Sequence, residues 1–211
     1  MSKPEKITHQ KLLLAEGRDA ELFLVWASRH FRQEIDFQVM DFGGITELTN
    51  FLLLLANDES YDQVETLVIA RDAETNAKAA TMSICGSIKH ANDEKSANIP
   101  VPPKPFEYTQ NSTMKTAFMI FPGPGQNKGT LEDLCLSTVE DDPLLECVDD
   151  YLECAKTIGE KLHHIHKSKL HCFLAGKNDY AGLPIGIASR EKAWNFEHPV
   201  LEPFKTIIQA M

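Results

Sequence analysis

Four short apolar runs, each closing on an acidic residue or glycine, alternate with longer amphipathic stretches over the first two-thirds of the chain. QKLLLAEG (10–17), IDFQVMDFGG (35–44), VETLVIARDAE (64–74) and TAFMIFPGPGQ (116–126) are too short and too continuously apolar for surface helices, and they read as strands covered on both faces. Between them, 19–31, 45–56 and 76–90 carry the three-to-four spacing of helices, and a short helix opens at Thr130. Strand and helix in this rhythm predict an α/β fold with a mostly parallel four-stranded sheet flanked by helices.

The rhythm breaks in two places. Residues 92–114 hold four prolines among polar residues, which predicts a mobile insertion or long surface loop with few core contacts. From Pro143 onward no strand pattern is visible. A long helix is expected over 144–167, with shorter helical pieces over 168–175 and 202–211. The domain reading is therefore an α/β core over 1–142 and a helical extension over 143–211 packed on it.

No apolar run reaches the ~18 residues of a membrane span, and MSKPEKITHQK lacks the apolar centre of an export signal. Five cysteines without CxxC spacing (Cys85, Cys135, Cys147, Cys154 and Cys172) fit a reducing compartment, where thiols on helices serve as small buried hydrophobes. A cytoplasmic location is the expectation. The net charge of −10 argues against a self-sufficient nucleic-acid binder with a basic stripe, although an enzyme with clustered metal-binding carboxylates is compatible with it.

Ligands of open parallel sheets bind beyond the carboxyl ends of the strands. Here those ends are acidic: Glu16, Asp41, then Asp72 with Glu74, while Glu132 and Asp133 open the helix after the fourth run. Two unit charges ~4 Å apart repel by about 4 kcal/mol at an effective dielectric of 20. A convergent set therefore calls for a cation or for a retained proton. Oxygen donors with no nearby Cys or His favour Mg²⁺ or Mn²⁺ over zinc. Acidic residues also cap helix starts, and Asp19 and Asp133 suit that bland role.

LLLAEGRDAELF resembles the first motif of the Toprim family, a strand ending in Glu-Gly with an acidic residue soon after. LVIARDAET resembles its second motif, with Asp72-Ala73-Glu74 where Asp-x-Asp is usual, and GTLEDLCL (129–136) is similar to the acidic helix start of Toprim nucleases of the overcoming-lysogenization-defect type. A stand-alone Toprim-like family of similar size is more similar still. The resemblance implies a Toprim-like fold with Mg²⁺ or Mn²⁺ at Glu16, Asp72, Glu74 and Glu132. Glu16 would also be the general acid or base, and Lys167 or Lys169 would be the catalytic lysine beyond the core. The implied activity is phosphodiester chemistry on nucleic acid, most simply a nuclease, working beside a separate ATPase. The rival expectation is a non-catalytic module that holds a metal or phosphorylated ligand and regulates a partner protein.

Three other motifs are set aside. GPGQNKGT (123–130) departs from the phosphate-loop pattern because Lys128 precedes Gly129, so a plain turn is expected. HHIHKSKLH (163–171) reads as a polar helix end, since zinc ligands come from several elements. Trp194 and Phe196 are expected to pin the C-terminal helix.

Overall fold

Leu12 and Leu14 pack into one hydrophobic cluster, Leu13 and Ala15 into another, and a central sheet separates the two. Consecutive residues of a strand face opposite sides, so a run covered on both faces must be apolar throughout. The computed structural model describes residues 5–211. Its sheet contains β1 (Lys11–Ala15), β2 (Gln38–Asp41), β3 (Thr66–Asp72), β4 (Thr109–Gln110) and β5 (Lys115–Phe121) in the order β2-β1-β3-β5-β4. The four expected strands are present and mutually parallel. The fifth, β4, is a two-residue antiparallel edge.

On one face lie α2 (Leu48–Leu55) and α3 (Ala77–Lys95), with Leu52, Ile84 and Ile88 packed on Leu14, Ile69 and Phe118. The other face carries α1 (Arg18–Phe31), α4 (Leu131–Ser137), α5 (Leu144–Thr157), α6 (Ile165–Ala175), α7 (Ile185–Arg190) and α8 (Glu202–Gln209). Phe173, Phe204 and Ile208 from these later helices share a core with Leu13, Val68 and Met119. Trp194 and Phe196 are buried there as well: the indole N–H donates to Ser189 Oγ at 3.0 Å, and Phe196 packs 5.7 Å from Phe23.

Three expectations are corrected. Residues 92–114 pack against the domain instead of standing clear of it. Ala97, Ile99 and Met114 are buried, and the Asn92 side chain bonds both backbone groups of Ile99 at 2.8 Å. Phe106 sits edge-on to Phe204 at 5.0 Å, and Tyr108 donates to Ile207 O at 2.9 Å. Apolar residues spread irregularly through the segment reach both cores, a pattern with no fixed period to see in sequence.

The helix expected over 144–167 is two helices. Gly159, at φ 97, ends α5 with Gly159 N–H donating to Lys156 O and Glu160 N–H to Ala155 O at 3.0 and 3.1 Å, the paired bonds of a left-handed glycine cap. Finally, Cys147 and Cys154 are exposed on α5; of the helical thiols only Cys135 is fully buried. Among the described residues, no helix is long and apolar enough to cross a membrane.

α7 was not visible in sequence, and it is held tightly. Gly186 lies so near α1 that a Cβ there would come within 2.5 Å of Leu22 Cβ, and its N–H donates to Asp19 Oδ1 at 2.9 Å. Asp19 therefore caps a helix start, though of α7 and not its own. Alanine is the better helix former by about 1 kcal/mol, yet Gly186→Ala should destabilise the domain by about 1–3 kcal/mol, because the two helix backbones must part. Urea titration checks this; an unchanged or higher midpoint would mean that the α1–α7 seam is loose.

Candidate metal centre

The parallel strands deliver their carboxyl ends to one edge, and there the structure gathers most of the carboxylates marked by sequence. β1 and β3 are neighbours, with Ala15 paired to Ala70 and Glu16 N–H donating to Ala70 O at 3.1 Å. Gly17 follows at φ 84, a conformation open to glycine at little cost, which turns the chain straight from β1 into α1 and leaves Glu16 at the rim. Glu16 Oε2 receives the Asp72 N–H at 3.4 Å.

Glu132 comes from some sixty residues further along, brought in by a stitch between β3 and the start of α4. Glu74 and Gly129 exchange backbone hydrogen bonds of 2.9 and 2.8 Å, and Leu131 N–H donates to Asp72 Oδ1 at 2.9 Å. Glu74 takes φ 53 to make this bridge, a strained choice for a residue with a side chain. A Cβ on Gly129 would meet Pro122 at 2.7 Å, so only glycine lets the two segments close.

The electrostatics of the edge centre on Asp72. Burial pushes its carboxyl up to about 8, and the nearby charges of Glu16, Glu132 and Glu74 add to the effect, against the single Leu131 N–H that favours the ionised form. Glu16 is also raised, by burial first, while the Arg71 guanidinium and the Asp72 N–H oppose the rise. Glu132 is 7% exposed, and Lys167 Nζ reaches to 3.9 Å from its Oε1. The thiol of Cys135 lies fully buried close by, held well above its ordinary range by that burial and by Glu132, Asp19 and Asp72.

Arg71 is the participant that the sequence reading overlooked. It is 3% exposed, its Nε lies 3.3 Å from Glu16 Oε2, and its Nη1 donates to Ser83 Oγ on α3 at 2.9 Å. The Nε–H makes no well-aligned hydrogen bond, so the pair is held by charge more than by geometry. An arginine inside the apolar run LVIARDAE was the available signal, because a buried guanidinium requires an anion.

The other marked residues have separate roles. Asp41 accepts from Gly17 N–H at 3.0 Å and Gly43 N–H at 2.6 Å, tying β1 to β2. Asp133 accepts from the Thr130 N–H at 2.8 Å as a helix cap. Lys169 is paired with Asp149 at 2.7 Å, which leaves Lys167 as the lysine nearest the carboxylates. A cleft of about 1110 Å³ opens beside Glu74 and Thr130, with Lys128, Lys156, Lys169 and His166 among its walls.

In kind, this donor set suits a hard divalent ion: oxygen ligands from several elements and one carboxyl that cannot ionise cheaply. In arrangement it is not a finished cage. Among the described residues, no three His, Cys, Asp or Glu side chains stand close enough to hold a metal together, the histidines of 163–171 included. Glu16 Oε2 is shared between the Arg71 Nε at 3.3 Å and the Asp72 N–H at 3.4 Å.

Fold and site define a mostly parallel α/β domain with an acidic edge at the carboxyl ends of its parallel strands. A family model described as "Protein of unknown function (DUF3226)" matches residues 10–211, and the chain belongs to that family. Neither the curated proteins nor the solved structures contain a match.

The raised carboxyl of Asp72 has a consequence for stability. Below about pH 4 the residue is protonated in both folded and unfolded chains. From there to about pH 8 the unfolded chain releases the proton while the folded chain keeps it, so stability falls as pH rises. In buffer free of divalent metal, Asp72→Asn should melt close to wild type near pH 4 and on the order of 5 °C higher at pH 8. Parallel melting curves across that range would remove Asp72 from the buried acidic set.

Proposed function

We propose that this chain is a Toprim-like, Mg²⁺- or Mn²⁺-dependent enzyme of phosphodiester chemistry acting on nucleic acid, most simply a nuclease. The observation that carries the proposal is Asp72, a carboxyl lifted to about 8 at the end of a central parallel strand, with Glu16, Glu132 and Glu74 as its charged neighbours. Docking α4 through the Leu131 N–H needs one acceptor at Asp72 and does not call for three further carboxylates around it. A divalent cation turns that repulsion into binding energy.

Asp72, Glu132 and Glu74 would hold the ion, joined by Glu16. When bound, the ion would polarise a phosphoryl oxygen and lower the pKa of a water. Glu16, part-buried and raised, is suited to carry a proton at its carboxylate. Lys167, beside Glu132, offers a positive charge to a phosphoryl group; Lys169 serves the cleft wall through Asp149. The adjoining cleft, with lysines from the 123–130 loop and from both α5 and α6, is the path proposed for the nucleic acid. A separate ATPase partner belongs to the same resemblance.

The Arg71–Glu16 pair favours a second reading. An internal cation already neutralises the residue assigned to proton transfer, and Glu74 replaces the usual Asp. Both suit a non-catalytic module that binds a metal or phosphorylated ligand and regulates a partner protein.

Two measurements separate these readings from each other and from no metal site at all. A ligand that binds only the native state stabilises it by about 2.7 kcal/mol at a hundredfold excess over its Kd, a rise of roughly 5–10 °C for a domain of this size. Mn²⁺ should give such a shift in wild type and little of it in Asp72→Asn, while matched monovalent salt gives none. Cleavage of DNA or RNA that needs Mg²⁺ or Mn²⁺ and drops at least about a hundredfold in Glu16→Gln would establish the enzyme. A metal shift with no cleavage points to the module, and indifference to Mn²⁺ removes both.

A further inference from the structure

The outward face of α5 carries an exposed apolar stripe. Cys147, Tyr151, Cys154 and Ile158 are all exposed, Tyr151 at 61% and Ile158 at 77%. Their spacing of four, three and four places them in one stripe along the helix. The inward face is already satisfied, since Val148 and Leu152 are buried in the sheet's core. A helix that buries one apolar face and exposes a second is unusual for a surface helix, whose outer face is normally polar.

On its solvent side the stripe is bordered by Glu146, Asp150 and Glu153, all exposed, with Thr157 as the only uncharged position in that row. Lys156 bonds Glu153 at 3.1 Å from the next row round. The rim is therefore acidic along its length. Two copies of this chain meeting through the stripe as antiparallel helices would set rim against rim, acid facing acid, which weakens self-association.

We propose that this stripe binds a basic amphipathic helix of a partner protein. The apolar side chains of that helix would cover Tyr151 and Ile158, and its lysines or arginines would face Glu146 and Asp150. The stripe runs about 17 Å from Cys147 to Ile158 at 1.5 Å per residue, the length of a three-turn helix, and helix-on-helix recognition of this kind reads three or four anchors. The inference is independent of any metal at the strand ends. It concerns the side of α5 turned away from the core.

The test uses the full chain and a synthetic Leu/Lys helix of about 14 residues with leucines on one face, beside a scrambled peptide of the same composition. Fluorescence anisotropy should show the ordered helix binding wild type at least about tenfold more tightly than the scramble. The doubly substituted Tyr151→Asp, Ile158→Asp protein should lose that difference. Because it gains two negative charges, simple attraction of lysine to an acidic protein predicts the opposite, tighter binding. Glu146→Lys with Asp150→Lys should weaken the ordered helix about tenfold, leaving the apolar stripe intact. Equal binding of both peptides, or undiminished binding by the Tyr151→Asp, Ile158→Asp protein, would overturn the proposal. So would sedimentation showing a wild-type dimer that Ile158→Asp dissociates, since the occupant would then be a second copy.

Discussion

A carboxyl group at the end of a central strand can reach water only through the rim of the sheet, and in this chain the rim is closed by the start of α4. Asp72 is caught between these elements. Its Oδ1 receives the Leu131 N–H, which docks α4 on β3, and its charge meets those of Glu16, Glu132 and Glu74. The same contact that fastens the C-terminal half to the sheet therefore concentrates negative charge. One backbone N–H is worth far less than three nearby carboxylates and burial. The left-handed backbone of Glu74 and the obligatory glycine at 129 hold this unfavourable arrangement in place. In the proposed function, a bound cation is what relieves that repulsion.

Much of the fold was legible because two-sided burial forces a continuous apolar run. The runs around Leu13, Val39, Val68 and Phe118 became the four parallel strands, and the acidic residues that close the first three fell at one edge because parallel strands share a direction. Shared direction puts Glu16 and Asp72 at one edge; that β1 and β3 are neighbours within it is a matter of strand order, which the runs do not encode. Glu132 joins them by a stitch of backbone bonds around Gly129, which no side-chain pattern encodes.

What stayed hidden lacked periodicity or depended on tertiary context. Residues 92–114 have no repeat, yet Ile99, Phe106 and Tyr108 are anchors, with Asn92 satisfying the backbone of Ile99. The break after α5 rested on a single glycine within an otherwise helical pattern. Arg71 stands in a strand covered on both faces, and no sequence pattern names the anion that its buried guanidinium needs. Here the position faces α3, and the guanidinium is buried with Glu16 as its counter-charge.

The net charge of −10 divides into sets of carboxylates with different physical work, which is why composition alone could not assign it. Asp19 and Asp41 satisfy backbone N–H groups of neighbouring elements and Asp133 caps its own helix, so neutralising one would loosen a local junction. Glu16, Asp72, Glu74 and Glu132 oppose one another at the strand ends, and neutralising Asp72 relieves strain. Glu146 and Asp150 are exposed on α5 beside an apolar stripe, Glu146 in the first turn, where the helix dipole favours a negative charge. Identical chemistry thus has opposite signs for stability according to what surrounds it. Within the strand-end set the sign differs again, since Glu16 is the counter-charge of the buried Arg71 guanidinium while Asp72 is held raised by its acidic neighbours.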